Sequence, residues 1–136
     1  MRITTLPLLL FMLLSFAQQP AGNKKVDLGE VFKIKNGQEA VVRGENLRIR
    51  FRSVLSDSRC PSGATCIWAG NGEVEIEVAR KNKKQVVATL NTLSEPKAIA
   101  YEGFKIKLVA LSPDPKIDEP IDPKDYEATV VVTKDE

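Results

Sequence analysis

A loop that carries both cysteines separates two segments of strict β-strand alternation, and this arrangement constrains the fold more than any other feature of the chain. Residues 57–72 read DSRCPSGATCIWAGNG and contain both cysteines and the only tryptophan. Residues 47–52, before the loop, read LRIRFR, and residues 73–78, after it, read EVEIEV. Apolar residues at every second position are typical of a strand with one buried face. The sequence therefore predicts two β-strands joined by a cysteine-containing loop.

The two cysteines, Cys60 and Cys66, are interpreted as a structural disulfide. In an exported protein with only two cysteines, the simplest expectation is that they pair with each other. A zinc site would need four ligands, whereas the chain has two thiols and no histidine. A redox pair usually has two residues between its cysteines and a helix after them, whereas here five residues intervene and a strand follows. Closing a ring of about seven residues would stabilise the fold by roughly 2.4 kcal/mol on a chain-entropy argument.

Residues 1–17 resemble a secretory signal peptide. Arg2 supplies a positive end, residues 6–16 form an apolar run, and Ser15 and Ala17 place small side chains at the positions that a signal peptidase reads. The apolar run is shorter than the roughly 20 residues needed to span a bilayer, although a retained membrane anchor is the alternative. We expect cleavage after Ala17, no stable membrane span afterwards, and export to the periplasm or the extracellular medium.

The charge balance limits the classes of partner. The chain has 136 residues with 20 basic and 18 acidic side chains, and Arg2 is the only charge within residues 1–17, so removing them leaves 19 against 18. A net charge near +1 argues against nucleic-acid binding, which usually needs a basic patch. It also gives no special reason to expect binding to an anionic membrane. We expect a monomer with no cofactor.

Turn signals divide the remaining chain into short strands and predict one all-β domain at residues 30–133. A flexible leader is expected at residues 18–29 and a charged tail at residues 134–136. The predicted strands are residues 31–35, 39–43, 47–54, 73–78, 85–91, 98–101, 104–111 and 126–133. Asn36-Gly37 predicts a hairpin with a type I′ turn. The pattern favours a single antiparallel β-sandwich, immunoglobulin-like or related, of about seven or eight strands, with a small β-barrel as the alternative.

Opposite charges on the strands that flank the cysteine loop favour their pairing. The outward residues are arginines before the loop and glutamates after it: Arg48, Arg50, Arg52, Glu73, Glu75 and Glu77. If the two strands are antiparallel neighbours, these charges face each other across the ladder, although a sandwich could also place the strands in opposite sheets. The arginines could otherwise bind an anionic polymer, but neutralisation by the glutamates is the favoured interpretation.

The cysteine loop resembles a signature of small exported bacterial proteins, in which D-S-R-C-P, a short spacer and C-x-W-A-G lie between two strands. The matching residues are Asp57, Ser58, Arg59, Cys60, Pro61, Cys66, Trp68, Ala69 and Gly70, with Leu111, Pro113, Pro115, Asp125 and Tyr126 similar further along. The resemblance implies an exported β-domain. The group has no established activity, so the resemblance supplies no catalytic residues.

The composition leaves little catalytic chemistry. Without histidine, Ser-His and Cys-His nucleophile systems are excluded, and no catalytic residue is predicted. A small hydrolase that uses a carboxylate pair is the third-ranked function. Calcium could bind the acidic loop at residues 114–125, but the loop lacks the EF-hand order, and an ordinary solvated loop is favoured, so no metal site is predicted.

The cysteine loop has a structural and a functional interpretation. In the first, Arg59 pairs with Asp57 or lies over Trp68, and Trp68 packs on the disulfide. Tyr126 is then either a tyrosine corner, whose hydroxyl bonds to an upstream loop, or a plain core tyrosine. In the second, the loop is a rigid recognition element. Its predicted contact residues are Arg59, Ser62, Thr65, Ile67 and Trp68.

The sequence therefore predicts an exported, non-enzymatic binding or interaction module whose partner is a protein or an envelope component. An inhibitor-like activity is one form of this prediction, since some exported β-sandwiches inhibit proteases through such loops. That link is an analogy at the level of the fold. The alternative is a structural envelope protein in which the cysteine loop only stabilises the domain.

Overall fold

The alternating segments form β-strands in a computed structural model that describes residues 22–136. The predicted signal peptide, with its cleavage site, lies outside the described residues. The strands, numbered in chain order, are β1 (Lys24–Val26), β2 (Val31–Lys35), β3 (Glu39–Val42), β4 (Leu47–Asp57), β5 (Gly72–Arg80), β6 (Val86–Asn91), β7 (Ala98–Tyr101), β8 (Phe104–Ser112) and β9 (Glu127–Lys134). A single 3₁₀ turn, Pro123–Asp125, precedes β9. No helix among residues 22–136 has the length and apolar character needed to cross a bilayer.

The strands form two sheets that pack face to face as a β-sandwich. The five-stranded sheet has the order β1-β3-β4-β5-β6, and the four-stranded sheet has the order β2-β9-β8-β7. Every pairing is antiparallel except that of β1 with β3. Within residues 22–136 no ladder joins one sheet to the other, so the sheets do not close into a barrel. The predicted antiparallel sandwich is confirmed.

Alternation along the strands places one apolar side chain in every two between the sheets. Each sheet contributes its inward-facing residues to a single core. The fully buried side chains with the largest volumes are Phe51, Phe104, Ile34, Leu47, Ile49, Ile76, Leu90, Ile106, Val26, Val42, Val74 and Val78. Burying a side chain of this size stabilises the fold by about 1.5–3 kcal/mol, which makes this layer the main source of stability.

Strand β1 lies within the segment that the sequence predicts as a flexible leader. It pairs in parallel with β3, with Lys24 opposite Ala40 and Val26 opposite Val42. The Val26 side chain is only 1% exposed, so it joins the core and fixes the strand in place. The ordered domain therefore begins before residue 30, because Val26 joins the core at the sheet edge and Leu28 packs against that core.

The predicted hairpin at Asn36-Gly37 is wrong, although a tight turn does form there. The Gln38 amide donates to the Lys35 carbonyl at 2.8 Å, and of the two central residues only Gly37 has a positive φ, +84°. A type I′ turn needs positive φ at both, whereas this pattern fits a type II turn. Strand β2 pairs with β9 and β3 pairs with β4, so the turn carries the chain from one sheet to the other.

Strands β4 and β5 are antiparallel neighbours, as the charge pattern predicted. The ion pairs do not form a simple row, because two register shifts interrupt the ladder. The Arg52 guanidinium lies 3.3 Å from Glu75 and 3.6 Å from Glu77, whereas Arg48 approaches Glu39 on β3 at 3.9 Å. The arginines of the five-stranded sheet are therefore neutralised largely by glutamates of the same sheet.

Three loops meet at one end of the sandwich, where β4, β6 and β8 end and β5, β7 and β9 begin. Residues 58–71 are named the disulfide loop, residues 92–97 the β6–β7 loop, and residues 113–126 the proline-rich loop. The positions predicted for recognition all belong to the first of these loops.

Candidate functional site

The disulfide loop begins as an extension of the β4–β5 ladder. The Ser58 amide donates to the Asn71 carbonyl at 2.8 Å, and the Cys60 amide donates to the Ala69 carbonyl at 3.1 Å. The Ser58 hydroxyl adds two more contacts, because it donates to the Asn71 carbonyl and accepts from the Asn71 amide, both at 3.0 Å. The base of the loop is therefore held at a fixed width.

Cys60 and Cys66 form a disulfide, as predicted, with their Cα atoms 5.9 Å apart. The ring they close contains a turn in which the Ala64 amide donates to the Pro61 carbonyl at 3.1 Å, and Gly63 has a φ of +89°. A left-handed backbone of this kind suits glycine, which has no Cβ to clash. The bond and the turn together fix the half of the loop that follows β4.

Gly70 allows the return half of the loop to pass close to its beginning. Its φ is +72°, and a Cβ at this position would overlap the carbonyl oxygen of Ser58. No other residue type fits here without moving the backbone, so the motif places glycine where the two halves of the loop approach each other most closely.

The Arg59 guanidinium holds the loop to the rest of the sandwich. Its Nε and Nη2 donate to the two carboxylate oxygens of Asp57, each at 2.8 Å. Its Nη1 donates to the Leu111 carbonyl at 2.6 Å, and Nη2 also donates to the Pro113 carbonyl at 2.9 Å. The Arg59 side chain is only 12% exposed and that of Asp57 is 10% exposed. Arg59 is one of the predicted contact residues, but its charge is turned inward and four of its five N–H donors are occupied.

Tyr126 joins this network from the position just before β9. Its hydroxyl donates to Oδ2 of Asp57 at 2.9 Å, and the side chain is 8% exposed. The hydroxyl does bond to a distant segment, as in a tyrosine corner, but the acceptor is a side chain rather than the backbone. Asp57, Arg59 and Tyr126 thus connect the disulfide loop to both β8 and β9, which belong to the opposite sheet.

The network shifts the ionisation of all three groups. Hydrogen bonds from Arg59 lower the pKa of Asp57, with a further contribution from Tyr126 that together outweighs the effect of burial. The hydrogen bond with Asp57 raises the pKa of Arg59. Burial, followed by the hydrogen bond to Asp57, raises the pKa of Tyr126. Asp57 is therefore an ionised structural carboxylate, with the opposite shift from the one that a general acid needs at neutral pH.

Asn71 ties the disulfide loop to the β6–β7 loop. Its Oδ1 accepts from the amides of Leu93 and Ser94 at 3.0 and 3.2 Å, and its Nδ2 donates to Oδ1 of Asn91 at 2.9 Å. The Asn71 side chain thereby accepts the hydrogen bonds of two loop amides that have no carbonyl of a neighbouring strand to pair with. This role had no signal in the sequence beyond the turn-forming character of asparagine.

The proline-rich loop supports the disulfide ring from one side. The Ser62 amide donates to the Pro115 carbonyl at 2.8 Å, and Ser62 forms a short parallel bridge with Lys116. Ile117 approaches Gly63, where an added Cβ would lie 3.8 Å from its Cδ1. Ser62 is a predicted contact residue. Its backbone amide is hydrogen-bonded to the proline-rich loop, while the residue as a whole is exposed.

The tip of the disulfide loop is apolar and exposed. Ile67 is 91% exposed and Trp68 is 80% exposed, and their neighbour Thr65 is also exposed. Trp68 therefore does not pack on the disulfide in the way that the structural interpretation expected. Thr65, Ile67 and Trp68 are thus exposed to solvent, whereas the Arg59 side chain is turned toward the sandwich.

The proline-rich loop lines a cavity with four carboxylates, those of Asp114, Glu119, Asp122 and Asp125, and with Lys116. Among residues 22–136 no three acidic, cysteine or histidine side chains converge in a way that could hold a metal ion. Comparisons with protein-family models, with curated proteins and with solved structures gave no match for this chain. What the loop end offers chemically is a fixed backbone, an exposed apolar pair and the hydrogen-bonding groups around them.

Proposed function

We propose that the protein is an exported, non-enzymatic binding module that contacts a protein or envelope component through the tip of the disulfide loop. The observation that supports this is the exposure of Ile67 and Trp68, at 91% and 80%. Tryptophan is among the residues most enriched at binding hot spots, where it fills a pocket on the partner. In the free chain neither side chain is covered by the core or by a neighbouring loop. A partner that buried both would remove two large apolar groups from water.

The bracing of the loop also supports a role in recognition. Ordering a flexible loop on binding costs about 0.5–1.5 kcal/mol for each immobilised side chain, and more for the backbone. Here the disulfide, the Arg59 network and the Asn71 bonds order the backbone before any partner arrives. Most of the conformational entropy of the loop is therefore lost when the protein folds and not when a partner binds. The free energy of contacts at the tip can then contribute to affinity almost in full.

Export is part of the proposal, with the periplasm or the extracellular medium as the destination. A disulfide is compatible with such an oxidising location, since reducing compartments keep thiols reduced. The signal-like residues 1–17 agree with this assignment. The N-terminal residue of the exported protein, read by mass spectrometry, should be Gln18; a chain that still begins at Met1 would contradict the proposed processing.

A structural envelope protein is the second candidate, and the inward bonds of Arg59 favour it, because they stabilise the domain without any partner. That account leaves the exposed Trp68 without a purpose. An inhibitor-like activity is a special case of the first candidate, with the loop tip inserted into a protease cleft. It would show as inhibition of one class in a panel of purified proteases, lost on Trp68→Ala.

The direct test is capture of the partner from the native extract by the immobilised exported protein. We expect the wild-type protein to retain a partner that Trp68→Ala and Ile67→Ala do not retain. Val87→Ala is the matched control, since Val87 is also an exposed apolar residue, 45% exposed, but lies on β6 away from the loop tip. Identical capture by wild type and Trp68→Ala would exclude the loop tip as the contact edge.

The captured partner then allows a second measurement. Trp68 is the only tryptophan of the chain, so its fluorescence reports on the tip alone. Adding a purified partner that lacks tryptophan, or one with silenced tryptophans, should protect Trp68 from acrylamide. Unchanged quenching in a saturated complex would place the contact elsewhere.

A further inference from the structure

The outer face of the four-stranded sheet carries an unbalanced positive charge. Its outward positions on β2 and β8 include four exposed lysines, which we name the lysine face: Lys33, Lys35, Lys105 and Lys107. The outward positions of the described strands β2, β7, β8 and β9 include one acidic residue, Glu127, whose carboxylate lies 3.9 Å from the Lys33 ammonium. The net charge of the chain, close to zero, conceals this local excess.

The other sheet shows what a neutralised face looks like in the same protein. On the five-stranded sheet, Arg52 lies between Glu75 and Glu77, and Arg48 approaches Glu39. No comparable set of carboxylates stands on the outer face of β2, β7, β8 and β9. The lysines there are free to meet an external anion, apart from the long contact of Lys33 with Glu127.

The register places the lysines on the two strands that flank β9. On β9, Thr129 lies opposite Lys33, and Thr133 lies opposite Lys105. Between these rows, Val131 lies opposite both Val31 on one side and Lys107 on the other. The result is a sheet face with ammonium groups on two strands, and with threonine, valine and one carboxylate, that of Glu127, on the strand between them.

Exposed apolar side chains accompany the charges. Val31 is 57% exposed, and Val109, beside the bulge in β8, is 49% exposed. The Lys24 ammonium also donates to the Lys33 carbonyl at 2.9 Å, which brings another positive charge to the edge of the face. The combination is lysine and valine on a sheet face, without arginine or an aromatic ring among its outward strand positions.

We propose that the lysine face binds the surface of an anionic lipid bilayer. A bilayer surface is flat, attracts basic side chains through its negative potential, and accepts small apolar groups at the headgroup boundary. Lysine stems extend along apolar surface while their ammonium groups reach the phosphates. A single-stranded nucleic acid would instead be held by stacking on aromatic rings, which this face lacks. The inference is independent of the disulfide loop and adds a second binding surface to the domain.

The test is co-sedimentation of the exported protein with vesicles of phosphatidylglycerol and phosphatidylcholine at low salt. The variant is Lys105→Gln with Lys107→Gln, both on β8. The control is Lys81→Gln with Lys84→Gln, which removes the same charge from the exposed β5–β6 turn. Each lysine near an anionic surface is worth about a fivefold change in binding, so we expect roughly a 25-fold loss for the variant and less than about twofold for the control. The two lysines replaced in the variant and the two replaced in the control are all exposed. Circular dichroism checks that each protein remains folded.

Several outcomes would overturn the proposal. Equal losses in variant and control would mean that only the net charge matters. Equal binding to pure phosphatidylcholine vesicles would assign the affinity to an apolar segment of the chain, and loss of binding in Trp68→Ala would assign it to the loop tip. Binding to a soluble polyanion such as polyphosphate with no binding to vesicles would make the partner a polymer. An absence of vesicle binding altogether would also refute it.

Discussion

Replacing Arg59 with alanine should destabilise the domain much more than replacing an exposed arginine, because this side chain fastens the disulfide loop to strand β8. The change removes four hydrogen bonds, two to Asp57 and one each to the Leu111 and Pro113 carbonyls. It also leaves the Asp57 carboxylate, whose side chain is 10% exposed, without its cation. Tyr126 and the backbone amide of residue 59 remain as its donors.

The magnitude follows from the burial of the pair. Removing one partner of a buried ion pair costs about 3–5 kcal/mol, because the other charge is left uncompensated. The Arg59 and Asp57 side chains are nearly but not fully buried, at 12% and 10% exposure, so we expect a loss of about 3 kcal/mol in the free energy of unfolding. A domain of this size should then melt about 10 °C lower or more.

Urea denaturation of the folded, oxidised protein at pH 7, followed by circular dichroism, measures this loss. Arg48→Ala is the matched control, since Arg48 is 55% exposed and 3.9 Å from Glu39, and exposed pairs contribute about 0–1 kcal/mol. A double-mutant cycle with Asp57→Ala should give a coupling energy above about 1 kcal/mol. A loss below about 1 kcal/mol for Arg59→Ala, or a loss equal to that of Arg48→Ala, would refute the reasoning.

Three further predictions concern the same end of the sandwich. Replacing both Cys60 and Cys66 with serine should lower the free energy of unfolding by about 2 kcal/mol, measured by urea denaturation, because the unfolded chain regains the freedom of the ring. Gly70→Ala should lower the melting temperature by several degrees, because its Cβ would overlap the Ser58 carbonyl. On titration with acid, the contribution of Asp57 should be complete above a pH of about 3.9 and be lost as the pH falls through its lowered folded-state pKa.

Each of these predictions has a result that would contradict it. An unchanged urea midpoint on reduction would mean that the two thiols were not paired. A melting temperature for Gly70→Ala within a degree of that of Gly29→Ala would count against the close approach, since a Cβ at Gly29, with its comparable φ of +78°, would meet no atom within 4 Å. An Asp57→Asn variant that loses stability between pH 5 and pH 2 as steeply as the wild type would show that Asp57 does not contribute to the acid transition.

The fold was largely predictable because apolar and polar residues alternate along most of the strands. Alternation of apolar and charged residues in β4 and β5 indicates both the strand and its buried face, and complementary charges indicate that the two strands pair. The predictions that failed concern features that depend on contacts between distant parts of the chain. Asn36-Gly37 specifies a turn but not whether the flanking strands pair, and strand β1 depends on a pairing with β3 and on the burial of Val26, neither of which leaves a pattern in the sequence.

The disulfide loop was predictable from the sequence, but the directions of its side chains were not. The cysteines, the glycines and the tryptophan mark the disulfide loop in the sequence, and the disulfide follows from them. The inward direction of Arg59 does not, because its carbonyl acceptors lie 52 and 54 residues further along the chain. The same limit applies to Tyr126, whose hydroxyl meets Asp57 across 69 residues. Contacts of this kind are set by the packing of the two sheets and leave no periodic signal.

Arg59 and Trp68 differ from what their residue types suggest, since a charged side chain is usually exposed and a tryptophan is usually buried. The charged side chain is nearly buried and holds the loop, whereas the largest apolar side chain of the loop faces solvent. The hydrogen bonds of Arg59 hold the loop, so the loop does not depend on Trp68 as an anchor in the core. Both proposals for binding rest on surfaces that a fixed sandwich presents, the loop tip at one end and the lysine face on one side.

Acrylamide quenching of Trp68 in the folded, oxidised protein tests the central claim most directly, because no other tryptophan contributes to the signal. With the indole 80% exposed, its quenching constant should approach that of the same protein unfolded in guanidinium, and its emission should be that of an indole in water. A blue-shifted emission that acrylamide barely quenches would show that Trp68 packs into the protein, and the loop would then be a clamp without a contact surface.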